Sequence, residues 1–325
     1  MSRRMCLFRI LYCMILLGLG AVEARGLPDQ LEQMRRQVAH GEGFLAALDQ
    51  SGGSTPMALD RYEYPRENYE IGGNSMFDAV HEMRIRIMTS PAFTGERVLG
   101  AILFEQTMKR EVNGQPVPEY LWKLKQIVPF LKIDKGLMEE ENGVQLMKPI
   151  PDLDETLRQC KKYGIFGTKM RSVIKNDNQE GIETIVDQQF EIGRRIIAAG
   201  LIPIIEPEVA IDSPSKQHCE ELLKAALLER LDSLGEEESV MLKVTLPSTP
   251  GFYNECIDHP RCLRVVALSG GYSRAEALEL LSQQPKMIAS FSRALTEGLT
   301  YRLSNDEFDL ILDAAIGQIY ARSKA

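Results

Sequence analysis

Histidine, tryptophan and aromatic residues in general are scarce in this chain. Its 325 residues include four histidines, one tryptophan and 7% aromatics. His40, His81, His218 and His259 are scattered and share no ligand spacing, so they are read as surface or core residues, with Trp122 as packing. Neither a metal nor an organic cofactor is expected. The six cysteines match no zinc or redox spacing and suggest no disulfide framework. There is no Asn-x-Ser/Thr sequon. Excess positive charge is also missing. A formal charge of -8 and a pI near 5.3 exclude a nucleic-acid footprint spread over the surface, so an anionic substrate needs a local basic site. The glycine-rich stretch Asp49-Gln50-Ser51-Gly52-Gly53-Ser54 lacks the G-x-G-x-x-G spacing of a dinucleotide-binding turn. No internal repeat or low-complexity segment stands out.

The first residues carry an export pattern. Ser2-Arg3-Arg4 precede an apolar run from Met5 to Val22, interrupted by Arg9, and Val22-Glu23-Ala24 supplies small residues for cleavage. Residues 1–24 are expected to be a signal peptide and residues 25–325 one domain. The run is short for a membrane span and contains an arginine, so membrane contact is expected only if the segment is retained. Cleavage would remove Cys6 and Cys13 and leave Cys160, Cys219, Cys256 and Cys262. The expected route is secretory, ending outside the cell or in a plastid; without the segment the chain reads as cytoplasmic.

From there the pattern alternates. Eight apolar runs read as strands: Phe44 to Leu48, Val98 to Phe104, Ile127 to Leu131, Ile165 to Thr168, Leu201 to Ile205, Val240 to Leu246 closed by Pro247, Leu263 to Leu268 and Met287 to Phe291. Helix-period segments lie between them, clearest over 181–199 and 215–234, with others over 77–87 and 275–281. A short polar helix is expected over 29–38 and a surface insertion over 60–75. Eight strand–helix alternations over roughly 250 residues predict a (β/α)8 TIM barrel.

Most of these runs end in ionisable residues, where such a barrel keeps its chemistry. Three period-2 pairs stand out: Lys132 and Asp134, Lys169 and Arg171, Glu206 and Glu208. Period 2 puts both members on one face of a strand, and the residues between them are apolar or proline. With Asp49, three such pairs converging on one mouth are poorly explained as structure, because clustered buried charge is costly. At the centre is Lys243, a lysine inside an apolar strand. An amine there, its charge disfavoured by burial and by the neighbouring Lys132, Lys169 and Arg171, is a nucleophile able to form a Schiff base with a carbonyl. Glu206 is the candidate proton shuttle, and Asp49 a base toward a substrate hydroxyl. Ser269-Gly270-Gly271 after the seventh strand and Arg293 after the eighth occupy the usual phosphate position of the fold. Ser51 and Ser54, with Lys132, offer a second phosphate contact.

These stretches, GFLAALDQSGGSTP, ILFEQTM, VPFLKIDKG, NGVQLMKPI, IFGTKMRSV, PIIEPEV, VMLKVTLP, ALSGGYSR and IASFSRAL, together resemble class I fructose-bisphosphate aldolases, particularly the bacterial-type branch. The resemblance implies a metal-independent lyase that splits fructose 1,6-bisphosphate reversibly into dihydroxyacetone phosphate and glyceraldehyde 3-phosphate. It implies Lys243 as the Schiff-base lysine and Glu206 as principal acid/base, assisted by Glu208. Asp49 and Lys169 match catalytic positions, and Lys132, Asp134 and Arg171 match positions that hold substrate. Ser269, Gly270, Gly271 and Arg293 match the phosphate site near the lysine, and Ser51 and Ser54 the serines near the other phosphate. Two features depart from the animal-type pattern. Ser292 stands where that pattern has glycine, and Tyr320 is not terminal. Oligomeric state is not readable from these residues; a tetramer is common in parts of the family, so the resemblance leaves a homo-oligomer open. The rivals are a Schiff-base lyase for another phosphorylated sugar and an exported form with a non-catalytic binding role.

Overall fold

The structure, a computed structural model, describes residues 29–50 and 53–324. Eight strands form its centre: β1 (Phe44–Leu48), β2 (Val98–Leu103), β3 (Val128–Lys132), β4 (Gly167–Ile174), β5 (Ile202–Val209), β6 (Val240–Thr245), β7 (Cys262–Leu268) and β8 (Ile288–Phe291). Each is parallel to its neighbours in the order β3-β2-β1-β8-β7-β6-β5-β4, and the β3–β4 pairing closes the ring. This is the (β/α)8 barrel expected from the alternation. The outer layer comprises α2 (Thr55–Arg61), α3 (Asn74–Thr89), α4 (Val117–Lys125), α5 (Leu153–Lys162), α6 (Gln179–Ala198), α7 (Lys216–Asp232), α8 (Arg274–Ser282) and α9 (Asn305–Arg322), with several one-turn helices between them. No helix among the described residues is long and apolar enough to cross a membrane.

Alternation along the strands creates two apolar layers. One set of side chains, including Phe44, Met170, Leu242 and Val265, points outward and packs under the helices. The other, including Leu45, Ala47, Phe130, Ile204, Met241 and Val266, fills the barrel's lower half. Residues 29–40 form a further helix, α1, which closes that end. Its Met34 and Val38 are fully buried against the interior set. Gln37 donates to the Leu99 and Gln126 carbonyls, and Arg264 donates back to the Ala39 carbonyl at 2.7 Å. The polar helix expected here is therefore the barrel's floor.

Two expectations change. The fourth and fifth strands run to Ile174 and Val209, so Lys169, Arg171, Glu206 and Glu208 lie within strands and not after them. The β4–β5 register sets Arg171 beside Glu206, and opposite charge across the ladder lets strand pairing continue past the apolar run. The segment 60–75 is also less superficial than expected. Tyr62 and Tyr69 are buried, and Tyr62 meets Tyr301 and Phe308 edge to face, which ties this segment to α9.

Candidate active site

The alternation that fills the barrel's floor with apolar groups delivers charged groups at its upper end. On β3 it runs Val128, Phe130, Lys132; on β5, Ile204, Glu206, Glu208; on β6, Met241, Lys243. They open into a cavity of about 940 Å³. Asp49, Ser54, Lys132, Asp134, Lys169, Arg171, Glu206, Glu208, Lys243, Ser269, Gly270 and Arg293 all line it. Gly271 is adjacent, its Cβ position 3.5 Å from an Arg293 guanidinium nitrogen. Ser51 lies outside the described residues.

At the centre Lys243 Nζ is 3.0 Å from Glu206 Oε1. Lys169 Nζ stands 2.8 Å from the other Glu206 oxygen and 2.7 Å from Asp49 Oδ2. All four side chains are buried. Two lysines and two carboxylates thus alternate, which offsets the desolvation each would suffer alone. Burial pushes the Asp49 and Glu206 carboxyls up, but the lysine charges outweigh it and hold both below the usual carboxylate range. Burial likewise disfavours the Lys169 ammonium, yet Asp49 and Glu206 raise its pKa above the ordinary lysine value. The immediate partner of Lys243 is a carboxylate, not the cationic group that spacing alone suggests; Lys169 sits on the far side of that carboxylate.

Around this core, Lys132 pairs with Asp134, and its pKa is lowered by burial and by Lys169. Asp134 also accepts the backbone N–H groups of Gly136 at 3.2 Å and Arg171 at 3.3 Å. Arg171 Nε donates to Glu208 at 2.5 Å. Glu206 is fixed from behind: Gln189 on α6 accepts its backbone N–H at 2.8 Å and donates to Ser172 Oγ at 3.0 Å.

The turn after β7 has the features of an anion cradle. Gly270 at φ +60° and Gly271 at φ +139° lie where side chains are strained, and a Cβ at Gly270 would come within 2.7 Å of Ile211. Arg293 faces this turn. Its pKa is lowered, first by burial and then by the nearby Arg61 charge, and a bound anion would relieve that repulsion.

Arg61, Lys135, Lys148, Gln50 and Gln189 were not anticipated. Arg61 lies seven residues beyond Ser54 along α2, a helical spacing that signals a shared face once the helix is placed. The exposed Lys148 and the buried Gln189 have no comparable signal.

The sequence profile of the family Fructose-bisphosphate aldolase class-I matches residues 31–250. The chain is 59% identical over 296 residues to the Fructose-bisphosphate aldolase class 1 of Synechocystis sp., covering 91% of this chain and 98% of that one. It is 52% identical over 295 residues to the protein of that name from Porphyromonas gingivalis, with the same coverage. A solved fructose-bisphosphate aldolase from Plasmodium falciparum superposes with a TM-score of 0.69 at 20% identity, covering 92% of this chain and 95% of that one, and shares the fold. On this match over most of its length, the chain belongs to the class-I fructose-bisphosphate aldolase family.

Proposed function

We propose that Lys243 is the iminium-forming amine with which this chain cleaves fructose 1,6-bisphosphate reversibly. The single observation that carries the reading is the 3.0 Å contact between Lys243 Nζ and the buried Glu206 carboxylate at the top of the barrel. A lysine becomes a nucleophile when an adjacent base takes its proton, and Glu206 is in reach to do so. The free amine adds to the C2 carbonyl of the open-chain ketose. Glu206 returns the proton to the C2 oxygen, water leaves, and a protonated iminium remains. Loss of the ammonium charge at Lys243 weakens one of the two attractions on Glu206, so the carboxyl holds a proton more readily when one must be carried.

Asp49 takes the proton of the C4 hydroxyl. The C3–C4 bond breaks, its electron pair passes into the iminium to give an enamine, and glyceraldehyde 3-phosphate departs. Protonation at C3 and hydrolysis then free dihydroxyacetone phosphate and regenerate the amine. Lys169, within ion-pair distance of both carboxylates, keeps their relative placement and stabilises negative charge on either. Ser269, Gly270, Gly271 and Arg293 hold the phosphate on C1. Lys132, with Ser51 and Ser54, holds the phosphate on C6, while Asp134, Arg171 and Glu208 order the chain between them. Positive groups at the mouth of a negatively charged molecule support an anionic substrate.

A cleaved leader over residues 1–24, a mature barrel over 25–325, and a homo-oligomer are further proposals. The leader lies outside the described residues, and N-terminal sequencing of the natural protein reads its fate. The catalytic assignment is tested with purified protein and a panel of fructose 1,6-bisphosphate, fructose 1-phosphate and other phosphorylated ketoses. Fructose 1,6-bisphosphate should have the highest kcat/KM, and Lys243→Met should remove turnover by at least about 10⁴-fold. Retained turnover in Lys243→Met would refute the assignment.

A further inference from the structure

A buried arginine next to this site is held in an unusual way. Arg84 on α3 is 1% exposed, yet among the described residues no carboxylate lies within ion-pair distance of it. Its hydrogen bonds go to neutral acceptors. Nη2 donates to the Gln50 carbonyl at 2.6 Å and to Gln50 Oε1 at 3.1 Å, Nε donates to Oε1 at 3.4 Å, and Nη1 donates to Thr107 Oγ1 at 2.8 Å. With its amide oxygen facing this cation, Gln50 turns its amide nitrogen the other way and donates to Ser292 Oγ at 2.8 Å.

Two of the three members of this hydrogen-bonded chain, Gln50 and Ser292, lie at the two phosphate loops, and Arg84 holds Gln50 from α3. Gln50 stands between Asp49 and Ser51 on the loop leaving β1. Ser292 immediately precedes Arg293 on the loop leaving β8. The strands are direct neighbours, with Leu45 beside Ser290. Ladder hydrogen bonds fix the strands themselves; the loops beyond them have the Arg84–Gln50–Ser292 chain as a cross-tie. Asp49 favours the Arg84 charge only from beyond contact distance, so the buried guanidinium depends on its neutral acceptors for hydrogen bonds and Gln50 is strongly constrained once Arg84 is in place. A fixed Gln50 then offers Ser292 one geometry.

Resting on the aldolase reading above, we propose that Arg84, Gln50 and Ser292 are positioning residues that set the separation of the two phosphate-binding loops, and thereby the preference for a ketose with two phosphates over one with a single phosphate. A doubly anchored substrate gains from both clamps only when their spacing matches it; a singly anchored one does not sense that spacing.

The test compares fructose 1,6-bisphosphate with fructose 1-phosphate in wild type, Ser292→Ala, Ser292→Thr, Gln50→Met and the Ser292→Ala/Gln50→Met double variant. Ser292→Ala should raise KM for the bisphosphate about 3- to 10-fold, the loss expected for one hydrogen bond, with kcat changed less than about 2-fold. The ratio of kcat/KM between the two substrates should fall by the same factor. Ser292→Thr keeps the accepting hydroxyl and should restore the ratio. Gln50→Met should lower the ratio in the same direction, and adding Ser292→Ala to it should lower it no further, because both remove one link. An unchanged ratio in Ser292→Ala and Gln50→Met, or a parallel loss on both substrates, overturns the proposal. A wild-type protein that cleaves neither substrate would instead overturn the aldolase reading itself.

Discussion

At the scale of single residues, the site depends on four buried charges that none could hold alone. Lys169 is the hinge of that set, since it touches both Asp49 and Glu206. Replacing it by methionine removes the cation that lowers both carboxyls, so their pKa values rise. The acid limb of the pH–rate profile should move to higher pH in Lys169→Met. The sign for stability follows from the same shifts. A depressed carboxyl stabilises the fold above the unfolded carboxylate pKa, about 4, and that contribution is lost as pH falls through the folded value. Lys169, with a raised pKa, contributes below the unfolded lysine value of about 10.4 and loses that contribution as pH rises through its folded value. Calorimetry should therefore find the largest Tm gap between wild type and Lys169→Met from about pH 5 to pH 10, narrowing toward pH 3. A gap independent of pH would show that packing, not charge, dominates at Lys169. Lys169 and Glu206 were legible in the sequence through their period-2 spacing, Asp49 as the residue ending an apolar run, and Lys243 as a charge inside an apolar strand. Arg84 and Gln189 were not. Each sits among apolar helix neighbours, where a polar residue ordinarily marks the solvent face, and only the packed structure reveals the loop or strand it meets.

At the scale of elements, strand positions were readable and strand ends were not. The apolar runs located all eight strands, but β4 and β5 continue through their charged pairs because cross-strand attraction replaces apolar burial there. The floor helix was visible only as a polar segment. Three of its contacts are made by Gln37 and Arg264 to backbone carbonyls, which no hydrophobic pattern records. Its apolar contribution rests on Met34 and Val38. Met34→Ala should cost about 2–4 kcal/mol in urea-induced unfolding, through lost burial and a residual cavity. Turnover should stay within about 2-fold of wild type, because the floor lies at the opposite end of the strands from Lys243. A loss of turnover without loss of stability would place the floor in communication with the site.

At the scale of the whole molecule, one repeated alternation divides the barrel into an apolar lower half and a charged upper half. The mouth gathers eight cationic and five carboxylate side chains among the described residues, in a chain whose formal charge is -8. Local positive potential therefore opposes the global sign, as an anionic substrate requires. The proposed chemistry converges on one amine, that of Lys243. The most direct test is borohydride reduction during incubation with dihydroxyacetone phosphate, followed by peptide mass analysis. The expected result is a single stable adduct, on the peptide containing Lys243, and its loss in Lys243→Met. An adduct on a different lysine, or turnover with no adduct at all, would contradict the account.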